Sequence, residues 1–114
     1  MLFRSTLRRG AQPWADVAGY AAGLDANRLA DPSEAGEAAA MTRAIAHAGL
    51  EPHHIAYVNT HGSGSSLGDL SELAALRRGL GRWFAAPWLN ATKALTGHCL
   101  GAAGVLEADR KSVV

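Results

Sequence analysis

Hydrophobic positions along the chain alternate between short β-type runs and longer stretches with helical spacing. Runs of aromatic and β-branched residues, set among small residues, predict strands at 14–23, 55–59 and 88–92. Apolar residues repeated at three- and four-residue intervals predict helices at 31–48 and 69–80, and small residues open a third helix at 97–104. Strand and helix therefore alternate three times. That order predicts an α/β fold with a mixed sheet flanked by helices.

The two longer predicted helices carry end signals. Asp31 is the candidate N-cap, with Pro32 at the first helical position and Glu34 at the third, where its carboxylate can bond back to the cap. Gly49 and Gly81 follow the last apolar positions, so they predict where the two helices end.

Two histidines lie in glycine-rich settings just beyond predicted strands. His61 lies in the run NTHGSGS and His98 in the run KALTGH. In open α/β sheets, ligands bind beyond the carboxyl ends of the strands. We expect the two imidazoles to meet there and to hold a carbonyl oxygen while negative charge builds on it. The structural alternatives are a solvated turn for His61 and a buried histidine without a catalytic role for His98.

Four more side chains near these histidines are candidates for the same site. Lys93 and Glu107 flank His98 and could pair to orient it, although each type taken alone is usually a surface residue. The hydroxyls of Ser63 and Ser65 could bond a polar chain such as an acyl-carrier arm. We place His98 at the start of the third helix, where the helix dipole favours a neutral, hydrogen-bond-donating imidazole.

Composition and charge narrow the function classes. The chain has 114 residues, enough for one domain, and its net charge of +1 favours neither nucleic acid nor an anionic membrane as a partner. No apolar run approaches the ~20 residues of a membrane span, and no Cys/His cluster has zinc spacing. Cys99 is the single cysteine, which fits a cytoplasmic protein. We expect it to fill space in the core rather than act as a nucleophile.

Three motifs, in this order and spacing, resemble the C-terminal half of the β-ketoacyl synthases. These thiolase-fold condensing enzymes act in fatty-acid and polyketide synthesis. The motifs are YVNTHGSGS at 57–65, LGD with Glu72 at 67–72, and TKALTGHCLGAAG with Glu107 at 92–107. The resemblance covers residues 14–108 and implies a thiolase-like half-domain there. It leaves an N-terminal arm at 1–13 and an atypical tail at 109–114, which looks like a truncated or altered end.

The resemblance assigns a role to each candidate at the reacting centre. It implies that His61 and His98 hold the carbonyl of a malonyl thioester as the malonyl group loses carbon dioxide and becomes an enolate. It implies that Lys93 supports this site and that Glu107 is linked with Lys93.

The resemblance also implies the substrate carrier and the partners. Ser63 and Ser65 stand where the family commonly has threonines that bind phosphopantetheine, so the substrate would be carried by an acyl-carrier protein. No cofactor or metal is expected to bind the chain itself. The second expected partner is an N-terminal ketosynthase half in trans, or a second copy of the chain.

The resemblance further implies that these residues alone are inactive. The nucleophilic cysteine of the family belongs to the N-terminal half, and Cys99 does not match it. Within the family, the two histidine motifs also resemble stand-alone proteins that decarboxylate malonyl-carrier protein for β-branching in polyketide assembly. Because the family as a whole consists of condensing enzymes, part of a condensing ketosynthase is the first interpretation. Such a decarboxylase, or an inactive fragment that only binds a partner, is the alternative.

Overall fold

The computed structural model describes residues 7–12, 15–28 and 31–111. Its helices and strands, in chain order, are α1 (Glu34–His47), β1 (Tyr57–Asn59), α2 (Ser66–Leu80), β2 (Trp88–Asn90), α3 (Lys93–Thr96) and α4 (Ala103–Lys111). Single turns of 3₁₀ helix occupy Pro52–His54, Gly81–Trp83 and Leu100–Ala102. The strands β1 and β2 pair in parallel, with Val58 opposite Leu89. Helices joined to parallel strands make this an α/β fold, as predicted.

The core lies mainly between α1 and α2. Ala38 of α1 is buried, and so are Ala75, Leu76 and Leu80 of α2, with Leu76 only 1% exposed. The small side chains let the two helices approach closely, while the leucines supply most of the buried apolar area. Leu73, predicted for the same face, is 38% exposed and lies at the edge of this contact.

Helix α1 begins later than the sequence predicts. Its N-cap is Ser33, in extended backbone, and the Ser33 hydroxyl oxygen accepts a hydrogen bond from the Gly36 N–H at 3.1 Å. The prediction that Asp31 caps the helix is therefore wrong, because Ser33 already satisfies a free N–H of the first turn. The predicted C-terminal end is confirmed: Gly49 has a φ of +69° just after the last turn, a conformation that glycine adopts without strain.

The predicted strand at 14–23 is wrong for its described part, residues 15–23. There the chain forms no strand and lies against α1 instead of joining the sheet. The Tyr20 N–H donates to Nδ1 of His47 at 3.2 Å, and a Cβ on Gly19 would collide with the backbone of Ala44 and Ala48. A strand exists only where its backbone pairs with another strand. In the described ranges the sheet is thus the parallel β1–β2 pair rather than a mixed sheet.

The predicted arm and tail fall partly outside the described residues. Residues 1–6 and 13 of the arm and residues 112–114 of the tail are not among them, and residue 14 of the predicted strand is not either. Residues 109–111 of the tail continue α4. None of the helices in the described ranges is long and apolar enough to cross a membrane.

Candidate functional site

The structure brings the two motif histidines together. The ring centroids of His61 and His98 are 5.1 Å apart, and the ring planes meet at 79°, an edge-to-face arrangement. Both side chains are exposed to solvent on this surface of the chain. Two imidazoles at this separation can direct N–H groups to a single small acceptor lying between them.

The parallel strands explain how the two motifs reach the same place. Just past β1, Thr60 donates to the Asn90 carbonyl oxygen at the end of β2, from its N–H at 2.8 Å and from its hydroxyl at 3.0 Å. Beyond these residues the chain turns away at Gly62, whose φ is +44°. A Cβ on Gly62 would collide with Ala91, so this close approach requires glycine. The carboxyl ends of β1 and β2 therefore deliver both loops to one edge.

Glu72 of α2 holds the loop that carries His61. One of its carboxylate oxygens accepts the His61 N–H at 2.6 Å, and the other accepts the Gly62 N–H at 3.0 Å. Hydrogen bonds to an ionised acceptor are stronger than neutral ones, so this pair fixes the loop well. The sequence places Glu72 inside a motif but assigns it no role. What could have pointed to its role is that the backbone N–H groups of the neighbouring loop require an acceptor.

His98 presents one nitrogen as a donor. Its Nδ1 accepts the Leu100 N–H at 3.1 Å, so in the neutral ring the proton is on Nε2. His98 lies between two helical segments: Gly97 is the C-cap of α3, and Cys99 is the N-cap of the 3₁₀ turn that leads into α4. The backbone N–H of Leu100 sets the tautomer.

Lys93 and Glu107 form a buried ion pair that joins the two helices on either side of His98. The Lys93 ammonium and a Glu107 carboxylate oxygen are 2.6 Å apart, and the two side chains are 4% and 15% exposed. The Thr92 hydroxyl donates to the same oxygen at 3.4 Å. The hydrogen bond from Lys93 is the main cause that lowers the pKa of the Glu107 carboxyl. The pair ties the first residue of α3 to α4, which fixes both ends of the segment containing His98.

The two candidate serines lie at the rim of the site, and their hydroxyls make hydrogen bonds within their own segment of the chain. The Ser65 hydroxyl oxygen is the N-cap of α2 and accepts the Gly68 N–H at 3.2 Å. The Ser63 hydroxyl donates to Ser65 at 3.3 Å. Both line an open groove of about 690 Å³ that also contains His61. Their predicted contact with a carrier arm stays a prediction.

Cys99 does not fill the core, so that expectation is wrong. The cysteine is exposed, and its Sγ lies 3.9 Å from the carbonyl oxygen of Thr96. It follows His98 directly in the turn after α3, where the chain runs over the surface. No group of three or more His, Cys, Asp or Glu side chains in the described part of the chain is arranged to hold a metal ion.

Comparison with known families decides the class of the chain. A family model described as "Beta-ketoacyl synthase, C-terminal domain" matches residues 14–110. The chain belongs to this family. The β-ketoacyl synthase resemblance is thereby confirmed, together with the thiolase-like fold that it implies.

Curated relatives of this ketosynthase domain have two kinds of activity in their names. The chain is 45% identical over 103 residues to the polyketide biosynthesis malonyl-ACP decarboxylase PksF of Bacillus subtilis (strain 168), across 90% of the chain and 24% of that protein. It is 38% identical over 106 residues to 3-oxoacyl-[acyl-carrier-protein] synthase 2 of Staphylococcus aureus, across 91% of the chain and 26% of that protein. The chain thus spans about a quarter of the length of these relatives.

Solved structures of ketosynthases match the fold closely. The ketosynthase of the AntDE:AntF complex, a type II polyketide synthase acyl-carrier protein with its ketosynthase bound to the hexaketide, has a TM-score of 0.87 and 29% identity. That match covers 97% of the chain and 28% of the neighbour. The ishigamide ketosynthase/chain length factor has a TM-score of 0.85 and 35% identity, across 96% and 27%.

Proposed function

We propose that these residues form the histidine-bearing half of a ketosynthase active site that decarboxylates a malonyl-type thioester on an acyl-carrier protein. The observation that carries the proposal is the pairing of His61 with His98 at 5.1 Å, with the buried Lys93–Glu107 ion pair joining the helices on either side of His98. The two imidazoles supply hydrogen-bond donors, and the ion pair keeps the segment that carries one of them in place.

The chemistry needs donors where negative charge develops. When the malonyl group loses carbon dioxide, the C–C bond to its carboxylate breaks. The electron pair of that bond moves into the thioester and leaves an enolate with its negative charge on the carbonyl oxygen. The proton on Nε2 of His98 and an N–H of His61 can both hydrogen-bond that oxygen. Donors that are already oriented toward a developing oxyanion usually make the largest contribution to catalysis.

The enolate has two possible fates, and these separate the two candidate functions. In a condensing enzyme its carbon attacks an acyl thioester, a new C–C bond forms, and the thiolate leaves. In a decarboxylase the same carbon takes a proton and yields an acetyl thioester. The first fate needs an acyl group on a nucleophile that these residues do not contain. Protonation of the enolate, the second fate, is the alternative function, and the 45% identity to a protein named as a malonyl-ACP decarboxylase supports it.

The proposal includes the setting of the reaction. The substrate arm is phosphopantetheine, with the exposed Ser63 hydroxyl and the capping Ser65 as its contacts. The protein partners are an acyl-carrier protein and the N-terminal ketosynthase half, supplied in trans or by a further copy. The lone cysteine is consistent with the reducing cytoplasm as the location. We expect the 114 residues alone to release no carbon dioxide from malonyl-carrier protein and to make no ketoacyl product.

A chimeric enzyme tests the proposal. Residues 14–110 would replace the matching segment of the B. subtilis relative, and carbon dioxide release from malonyl-acyl-carrier protein would be measured. We expect release by the chimera, and a loss of about 100-fold or more in His61→Ala and in His98→Ala, the scale of removing an oxyanion donor. His53→Ala, an exposed histidine away from the site, is the matched control.

Three results would count against the proposal. An inactive but folded chimera would contradict it. So would full activity in both site variants. Product made by the purified chain alone would show that the other half is not required.

A further inference from the structure

Leu100 has a left-handed backbone conformation in the turn between α3 and α4. Its φ is +49°, and among the described residues the only other non-glycine residue with a positive φ is Ala26. A bulky residue rarely adopts this region, because its Cβ then lies too close to the following carbonyl oxygen. Residues held in such a conformation cluster at functional sites, so this one needs an explanation.

Packing of the leucine side chain does not explain the conformation. Leu100 is 77% exposed, so none of the described elements buries it. Gly97, on the other side of His98, also has a positive φ, at +71°, but glycine adopts it without strain. The backbone is thus left-handed on both sides of His98, and the strain lies at Leu100.

Both polar groups of the peptide unit between Cys99 and Leu100 have partners. The Leu100 N–H donates to Nδ1 of His98 at 3.1 Å, and the Cys99 carbonyl oxygen accepts the Ala102 N–H at 3.0 Å. The buried ion pair between α3 and α4 fixes the two ends of the segment. These contacts together determine the turn more than once over, which is the condition under which strained backbone persists.

The sign of φ at Leu100 is coupled to what this peptide unit presents to His98. A peptide unit is planar, so it can rotate as a whole between fixed ends. That rotation changes ψ of Cys99, which is 20°, and φ of Leu100 together. A half turn would return Leu100 to negative φ and would exchange the positions of the N–H and the carbonyl oxygen. His98 would then face an acceptor in place of a donor.

We propose that Leu100 is a positioning residue for His98. Its left-handed backbone keeps the peptide unit turned so that the N–H, and not the Cys99 carbonyl oxygen, faces Nδ1. The opposite orientation would draw the ring proton to Nδ1 and leave Nε2 without a proton to donate. The inference rests on the proposed function, because the tautomer matters only if Nε2–H binds the oxyanion.

Nuclear magnetic resonance of the ring nitrogens tests the proposal. A protonated ring nitrogen resonates far from an unprotonated one, so the two shifts give the ratio of the Nε2–H to the Nδ1–H form. The spectra would be recorded on the 114-residue chain with ¹⁵N-labelled histidine at about pH 8.5, where a histidine side chain is ordinarily neutral. The His98 signals are those that disappear in His98→Asn.

Three substitutions of Leu100 separate the backbone from the side chain. Leu100→Gly keeps the N–H and tolerates positive φ, so it should keep the wild-type ratio. Leu100→Val disfavours positive φ more strongly than leucine does, and Leu100→Pro removes the N–H and fixes a negative φ. In both of these the ratio should fall about fivefold or more, the effect of losing one neutral hydrogen bond.

A matched pair of glycine variants tests the strain by itself. Leu95 lies in α3, is 89% exposed and has no positive φ. Leu95→Gly should lower the urea midpoint, because glycine has more backbone freedom in the unfolded chain. Leu100→Gly should raise it, because relief of the left-handed strain exceeds that loss. We expect the folding equilibrium constants of the two variants to differ by about tenfold.

The outcomes separate this inference from the proposed function. An unchanged ratio in Leu100→Pro or in Leu100→Val would overturn the role of Leu100. So would a fall in Leu100→Gly as large as that in Leu100→Pro, which would assign the effect to the side chain, or equal midpoints in the two glycine variants. None of these measurements needs substrate or partner. A failure of the chimera to release carbon dioxide would therefore count against the proposed function alone.

Discussion

Replacing Glu72 by glutamine tests what holds the loop that carries His61. The carboxylate accepts the His61 N–H at 2.6 Å and the Gly62 N–H at 3.0 Å, one on each oxygen. Glutamine has nearly the same shape but keeps only one acceptor oxygen, and its NH₂ group would face one of the two backbone N–H donors. One bond is lost outright, and the other becomes a weaker neutral bond.

The size of the effect follows from the exposure of the two bonds. A hydrogen bond to a charged group contributes about 1.5–3 kcal/mol, and a neutral one about 1 kcal/mol. The bond to Gly62 is partly buried and the bond to His61 is exposed, so the lower end of that range applies to the exposed one. We expect Glu72→Gln to destabilise the loop by about 2 kcal/mol, which corresponds to roughly a 30-fold change in an equilibrium constant.

Amide hydrogen exchange measures this directly. Protection at Gly62 should fall by roughly 30-fold in Glu72→Gln, with a smaller decrease in the core of α2. Glu34→Gln is the matched control, because its ion pair with Arg78 at 3.7 Å is exposed and should contribute under about 1 kcal/mol. If Gly62 kept its protection in Glu72→Gln while the protein remained folded, the two hydrogen bonds to Glu72 would not be what orders the loop.

Three further perturbations have defined outcomes. Because the folded-state pKa of Glu107 is lowered, the stability from its ion pair with Lys93 is present above pH 4.5, the ordinary pKa of this group, and is lost as pH falls through the folded pKa. Glu107→Gln should therefore reduce the loss of stability at acid pH in urea unfolding, and an unchanged loss would refute the role of the pair. Ser65→Ala removes the N-cap of α2 and should lower stability by about 1 kcal/mol, whereas Ser66→Ala, one residue into the helix, should lower it little. Equal urea midpoints for the two variants would contradict the capping role of Ser65. Leu76→Ala empties a site that is 1% exposed and should cost about 3 kcal/mol, against less than about 0.5 kcal/mol for Leu70→Ala at 67% exposed; similar thermal shifts for both would argue against the α1–α2 core.

The parts of the fold that could be predicted are those with a local cause. Gly49 and Gly81 mark helix ends because a positive φ is cheap only for glycine. The leucine spacing of α2 predicts its buried face, and Leu76 and Leu80 lie in it. The placement of both histidine motifs beyond strands was enough to expect that the imidazoles meet, since the ends of parallel strands share an edge.

The parts that could not be predicted depend on partners distant in the sequence. The segment at 15–23 has strand-like composition, yet the Tyr20 N–H bonds to His47 of α1, and only the tertiary structure decides that partner. Cysteine is a residue type that is often buried, but Cys99 lies in a surface turn. The tautomer of His98 is set by the N–H of Leu100, whose position depends on how the chain turns after α3.

The sequence by itself determined the family, the α/β order and the candidate site residues, because motifs, periodicity and glycine positions are properties of neighbouring residues. Only the tertiary structure decided how those residues are held. It placed the rings of His61 and His98 5.1 Å apart and made Glu72 the acceptor for the N–H of His61. The hydrogen bond from His61 to Glu72 joins residues 11 positions apart, and the ion pair between Lys93 and Glu107 joins residues 14 positions apart. A contact between separate elements forms only when their packing brings the two side chains together, and no local pattern encodes that distance.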